Sequence, residues 1–190
     1  MISKNDITGI ILAGGKSSRM GTDKATLLLK EKTFIQHIIE AMKPLVKNIV
    51  IVSDNPNHDE FEIKRIEDVI KDAGPLAGIY SGLQCSKTDY NLVVSCDVPL
   101  ITSEVLRQLI KNYENNYDVI QLKSYQKTMP LTALYKKTCE QLIKDLLDKG
   151  ERRVRFAVSK LKTKTIILDD NLASAIININ TKEEFDAITN

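Results

Sequence analysis

The sequence predicts an α/β fold: one domain over residues 1–190, built on a Rossmann-like, mostly parallel sheet flanked by helices. Short β-branched runs alternate with amphipathic helical stretches from the N-terminus onward. Residues 7–13, 49–52 and 92–96 are apolar almost throughout, as expected of strands covered on both faces. No repeat, low-complexity tract or long linker divides the 190 residues, and 43% of them are apolar, enough for a sizeable core.

The elements follow in order. Residues 7–13 form the first strand, which breaks at Gly14 and Gly15 into a loop carrying Lys16, Arg19 and Lys24. Residues 25–29 are a short extended piece leading to a turn at 30–32. Residues 33–43 read as a helix with Phe34, Ile38, Ile39 and Met42 along one stripe, ended by Pro44. Residues 49–52 form the second strand, 53–57 a loop, and 63–66 a short strand that ends at Glu67 and Asp68. Gly74 and Pro75 open a helix over 76–85. Residues 92–96 form a strand that stops at Asp97-Val98-Pro99. Thr102 or Ser103 caps a helix over 103–114. Strands are expected at 119–122 and 131–135, then an amphipathic helix over 137–148 closed by Gly150 and a short helix over 152–159. Further strands are expected at 166–168 and 176–179. The last helix starts at Thr181, with Glu184 completing a capping box. The late, hairpin-like strands predict some antiparallel pairing in the C-terminal half.

Composition excludes several classes. Charge is nearly balanced at +2, so nothing suggests bulk nucleic-acid binding. No apolar run is long enough for a membrane span, and the N-terminus lacks a signal-peptide core. Cys85, Cys96 and Cys139 are odd in number, far apart and without zinc spacing. With no export signal, a reducing cytoplasm is the expected setting. His37 and His58 read as surface or helix-packing residues rather than catalytic bases. There is no Gly-x-Ser-x-Gly elbow for a hydrolase.

In open α/β sheets, ligands bind outside the carboxyl ends of the strands. The first strand delivers the Gly14–Lys24 loop there, the second delivers Ser53 and Asn55, and the strand at 92–96 delivers Asp97. Glycines let backbone N–H groups approach phosphate oxygens, and cations neutralise them, so the loop suits a polyphosphate. It is neither a P-loop nor a dinucleotide fingerprint. Asp97, a hard carboxylate, suits Mg2+; taken alone, the Asp-x-Pro turn also reads as a strand cap.

The whole pattern is more specific. Leu12-Ala13-Gly14-Gly15, Ser18-Arg19-Met20-Gly21, Asp23-Lys24, Gly74-Pro75-Leu76-Ala77-Gly78 and Cys96-Asp97-Val98-Pro99 together resemble the molybdenum cofactor guanylyltransferases, MobA-like nucleotidyltransferases. Gly150-Glu151-Arg152-Arg153-Val154 and Asn178-Ile179-Asn180-Thr181 resemble their later segments, so the likeness spans residues 7–186. The resemblance implies that Leu12, Ala13, Gly14 and Gly15 contact the nucleotide. It implies that Arg19 and Lys24 hold its phosphates, and that Asp97 binds both Mg2+ and the nucleotide. It places Asp68 near the base or ribose, with Asp72 a competing carboxylate, and gives Ser53 the position where some relatives carry Asn. It gives Arg152, Arg153, Asn178 and Asn180 to a second substrate. Asn178 and Asn180, read as alternating on a strand, either line that pocket or bond the loop before the last helix. The chain departs from the family at Met129, where His or Gln is usual before Pro130-Leu131.

The reaction the resemblance implies is Mg2+-dependent transfer of GMP from GTP to the phosphate of molybdenum-molybdopterin, with release of pyrophosphate. Partners implied with it are the molybdenum-insertion enzyme and apo-molybdoenzymes; no nucleic acid and no membrane are expected. The same chemistry with CTP, transfer to a sugar phosphate, and a nucleotide-binding sensor without turnover are the other readings.

Overall fold

The structure is a computed structural model that describes residues 2–14, 23–124 and 127–189. Strand β1 (Ile7–Leu12) is buried along its whole length. A short hairpin follows, β2 (Leu28–Leu29) and β3 (Lys32–Thr33). Lys30 and Glu31 both take positive φ in its turn, the twist a two-residue hairpin needs. Helix α1 (Phe34–Met42) begins on a capping box: Gln36 N donates to Thr33 Oγ1, and Thr33 N donates to Gln36 Oε1. Then come β4 (Asn48–Val52), β5 (Lys64–Ile66), α2 (Gly74–Cys85), β6 (Tyr90–Ser95) and α3 (Ser103–Lys111), the last capped by the Thr102 hydroxyl. The C-terminal part holds β7 (Val119–Ser124), β8 (Lys127–Lys136), α4 (Cys139–Asp148), α5 (Val154–Ser159), β9 (Thr163–Ile167), α6 (Asp170–Ala173) and α7 (Lys182–Thr189).

The main sheet has seven strands in the order β5-β4-β1-β6-β8-β7-β9. β1 pairs parallel with β4 and β6, β4 with β5, and β7 with β9. β8 runs against both its neighbours, β6 and β7. The expected mostly parallel sheet with antiparallel pairing in the C-terminal half is therefore present, and β8 supplies the antiparallel part.

Helices cover both faces. On one, α1 and α3 pack Ile35, Ile38, Met42, Leu106 and Leu109 against Ile11, Leu92 and Val94. On the other, α2, α4 and α5 pack Leu76, Ile79, Leu83, Ile143 and Val158 against Ile10, Val93 and Tyr135. α2 lies unusually close to β1. A Cβ added to Gly82 would stand 2.5 Å from Ile10 Cγ2, so only glycine lets the helix descend that far. Among the described residues no helix is long and apolar enough to cross a membrane.

The structure corrects several expectations. Residues 176–179 are not a strand. Ser174–Ile176 is a 3-10 turn, and the chain to Asn180 runs extended without sheet pairing. The β-branched run there buries Ile176 and Ile179 against the helices rather than joining a ladder. β9 starts earlier than 166, because its alternating Thr163-Lys164-Thr165 belongs to an edge strand whose apolar signal is weak. The expected loop at 53–57 turns at Pro56 into a 3-10 helix, Pro56–Phe61. His58, read as a surface or helix-packing residue, lies fully buried there. The C-terminal capping box is as expected: Thr181 Oγ1 accepts from Glu184 N, and Glu184 Oε2 accepts from Thr181 N.

Candidate active site

The carboxyl ends of β1, β4, β5 and β6 stay in step just beyond the strands. Ala13 N donates to Val52 O at 3.0 Å, Cys96 N to Leu12 O at 3.0 Å, and Ser53 N to Ile66 O at 2.9 Å. These bonds bring residues 13–14, 53–55, 67–68 and 96–97 to one edge. Gly15 and Arg19, both expected at the site, lie outside the described residues.

The 177–180 arm crosses this edge. Ile179 is buried with Leu29 and Phe34, which anchors the arm. Its backbone N donates to Asp97 O at 2.8 Å. Asn178 Nδ2 donates to Asp97 Oδ2 at 2.8 Å, and Lys24 Nζ donates to Asn180 Oδ1 at 2.8 Å. The strand on which the two asparagines were expected to alternate is absent, and each instead meets a partner from the arm. They hold the two charged groups expected to be catalytic. Burial pushes the Cys96 thiol up to about 12; the carboxylates of Asp97 and Asp23 add to this and Lys24 opposes it, so these charges surround the same sulfur.

Asp97 Oδ1 is buried and has no hydrogen-bond partner among the described residues. A carboxylate oxygen left in that state is costly unless a cation or donor completes it. Among the described residues no group of three or more His, Cys, Asp or Glu converges on a metal position. A donor set of one carboxylate fits a hard divalent cation held mainly by nucleotide phosphates and water, and fits a zinc or iron centre poorly.

Asp68 stands across the edge, close to the bare backbone of two glycines. A Cβ on Gly14 would lie 3.7 Å from its Oδ2, and one on Gly78 would lie 3.6 Å from its Oδ1. Burial raises its carboxyl above the ordinary range, and nearby Asp54 adds to that; the Ser81 hydroxyl, donating to Oδ1 at 3.3 Å, opposes it. Asp72, the competing carboxylate, is exposed on a turn with φ of 54°. The geometry thus favours Asp68 beside the Gly14 backbone. Ser53 is buried, and its Oγ accepts from Asn55 N at 3.0 Å, so its hydroxyl shapes the following turn.

One cluster was not expected. Asp23 Oδ1 accepts from Ala25 N at 2.9 Å. Its Oδ2 accepts from Asn55 Nδ2 at 2.7 Å and from His58 Nε2 at 2.8 Å. The His58 bond is the main reason that the Asp23 carboxyl is held below the usual range despite partial burial. The one legible sign was the Asp beside Lys24; nothing local ties it to a histidine 35 residues away.

The remaining residues stand apart from this group. Arg153 pairs with Glu151 at 2.7 Å, and Arg152 Nη1 donates to Leu147 O and Glu151 O. Both are exposed at the start of α5. Arg155 on α5 lines a cavity of about 340 Å³ with Gln121, Thr128 and Thr165. Met129, at the start of β8, packs against the α1–α3 side of the core.

Residues 9–163 match the MobA-like NTP transferase domain family. A protein of Flavobacterium johnsoniae named "Probable molybdenum cofactor guanylyltransferase" is 34% identical over 178 residues, 94% of each chain. One of Bacillus mycoides with the same name is 36% identical over 185 residues, 93% of this chain and 92% of that one. Among solved structures, a protein of Aquifex aeolicus matches with a TM-score of 0.82 at 27% identity, over 95% of this chain and 96% of its own. Molybdopterin-guanine dinucleotide biosynthesis protein A of Archaeoglobus fulgidus matches with a TM-score of 0.82 at 23% identity, over 96% of each chain, a likeness of fold.

Proposed function

The chain belongs to the MobA-like NTP transferase family, and from that premise we propose that it transfers GMP from GTP to the phosphate of molybdenum-molybdopterin, with Mg2+. The observation that carries the reading is that the 177–180 arm holds both Lys24 and Asp97, whose buried Oδ1 has no hydrogen-bond partner among the described residues, at the carboxyl edge of the sheet. The names of the relatives support guanylyl transfer to this cofactor.

In this reading the nucleotide lies along residues 12–14, with Asp68 toward its base or ribose. Lys24 leaves Asn180 for a phosphate oxygen, a stronger partner because the bond is then charged on both sides. Asn178 keeps the Asp97 carboxylate turned so that Oδ1 faces the phosphates. Asp97 would hold a divalent cation, which would supply charge neutralisation on the triphosphate. The acceptor phosphate is already anionic, so its oxygen attacks the α-phosphorus without a general base. The bond to the β-phosphate breaks, and pyrophosphate leaves with the electron pair. The protein's contribution is position and charge. Arg152, Arg153, Asn178 and Asn180 are proposed on the acceptor side, the asparagines acting through Asp97 and Lys24.

The test is pyrophosphate release by the purified protein with metal-loaded molybdopterin, comparing GTP, CTP and ATP. Release is expected with GTP, favoured over CTP by about ten-fold to a hundred-fold if one buried hydrogen bond to the base edge decides. Equal or better turnover with CTP moves the acceptor chemistry to the cytidylyl branch. Binding of nucleotide with no release under any condition makes the chain a sensor.

A further inference from the structure

We propose that Asp23, Asn55 and His58 form a positioning clamp that fixes the turn at Asp23–Ala25 and so sets where Lys24 stands. The proposal rests on the reading of Lys24 as a phosphate-binding group.

Asp23 is poorly placed to serve a ligand itself, because the protein already occupies both its oxygens. Ala25 N takes Oδ1, while Asn55 Nδ2 and His58 Nε2 converge on Oδ2. These donors come from separate places: the turn that contains Lys24, the loop after β4, and the 3-10 helix Pro56–Phe61. The peptide leading into Lys24 is thereby tied to the carboxyl end of β4, across the strand order of the sheet.

Each donor is itself oriented. Asn55 Oδ1 accepts from Asn57 N at 3.0 Å, which leaves Nδ2 to donate to Asp23. Ser53 Oγ accepts from Asn55 N and holds the backbone from which that amide projects. His58 is 0% exposed, with its ring 5.9 Å from that of Phe61. Its Nε2 carries the proton shared with Asp23, and its Nδ1 is buried without a partner among the described residues. A side chain that only filled this space would be apolar, since an imidazole with one unpartnered nitrogen is the costlier occupant. The effect of the histidine is the orientation of Asp23.

The clamp has an electrostatic consequence too. A carboxylate beside a polyphosphate site repels the ligand and competes with it for the neighbouring lysine. Three donors disperse the Asp23 charge, and Lys24 Nζ reaches Asn180. Lys24 is then held at its backbone by the clamp and at its tip by the C-terminal arm.

The test uses the whole chain with His58→Leu, His58→Gln and Asn55→Ala. One readout is GTP affinity by calorimetry below the melting temperature. The other is the acylation rate of Lys24, followed by mass spectrometry without nucleotide. His58→Leu is expected to raise the GTP Kd about ten-fold, the loss of one charge-assisted bond, and to speed Lys24 acylation several-fold. His58→Gln places an amide N–H within reach of Asp23 and should restore most of both. Asn55→Ala should move both readouts the same way by less, and it decides the matter should His58→Leu not fold. Unchanged GTP affinity and unchanged Lys24 acylation in the folded variants, whatever happens to their Tm, overturn the clamp. A wild-type protein that binds neither GTP nor CTP overturns the reading of the site, while the acylation rates still decide the clamp.

Discussion

Asp97 and Asp68 share one sheet edge and stand in opposite conditions. Asp97 has one oxygen bonded to Asn178 and the other buried without a partner among the described residues. Asp97→Asn keeps the shape and the Asn178 bond while removing the charge that a hard cation needs. Its Tm is expected to equal or exceed that of wild type, while pyrophosphate release falls steeply at limiting Mg2+ and recovers in part as Mg2+ is raised. A wild-type rate at limiting Mg2+ would return Asp97 to a strand cap. Asp68 has its carboxyl raised, burial first. A folded value above the unfolded one means that the native state holds the proton more tightly. That stabilisation is complete below the ordinary Asp value of 3.8 and is lost as the pH rises through the folded value. Asp68→Asn removes the charge that burial disfavours, so it should raise Tm at pH 7 and lose this advantage near pH 4. The same variant should weaken nucleotide binding, since a residue kept at a cost to stability is expected where a ligand uses it. A Tm difference between the two proteins that does not vary from pH 4 to 7 would remove the electrostatic account.

At the scale of elements, the site depends on how closely α2 approaches β1. Gly78 and Ser81, which border Asp68, are carried on the same helix as Gly82. Gly82→Ala would set a methyl 2.5 Å from Ile10 Cγ2 and 2.9 Å from its Cδ1. Ile10 is fully buried and has no room to turn away. The overpacking is expected to cost about 1–3 kcal/mol, against about 1 kcal/mol gained from helix propensity. Tm should therefore fall, and nucleotide affinity with it, as α2 lifts away from Asp68. A Tm at or above that of wild type would show that Ile10 repacks freely.

At the scale of the molecule, the candidate site belongs to no single segment. It joins the ends of β1, β4, β5 and β6 to a C-terminal arm whose Asn180 lies 156 residues from Lys24. A ligand bound there should stabilise the fold as a unit. With GTP and Mg2+ at a hundred times Kd, the gain is expected to be about 2.7 kcal/mol, read as a rise in Tm. Hydrogen exchange should show protection extending to residues 177–180. Protection confined to residues near β1, with the arm unaffected, would separate the arm from the nucleotide.

The sequence by itself determined the local pieces. The apolar runs at 7–13, 49–52 and 92–96 are strands, and the caps at Thr33, Thr102 and Thr181 start helices, because period and capping are written within a few neighbouring residues. It also placed Asp97, Ser53, Asn55 and the start of the loop after β1 at one edge, since parallel strands carry their carboxyl ends to the same side. Tertiary structure alone decided the rest. Residues 176–179 have a strand-like composition, but no sheet edge is offered to them, so they became an arm across Asp97 and Lys24. β8 entered the sheet between β6 and β7 against their direction, an order that no single strand's pattern specifies. The bond between His58 and Asp23 depends on β4 lying beside β1 and on a 3-10 turn at Pro56. Such contacts arise from strand order and helix packing, which bring together residues that share no local window.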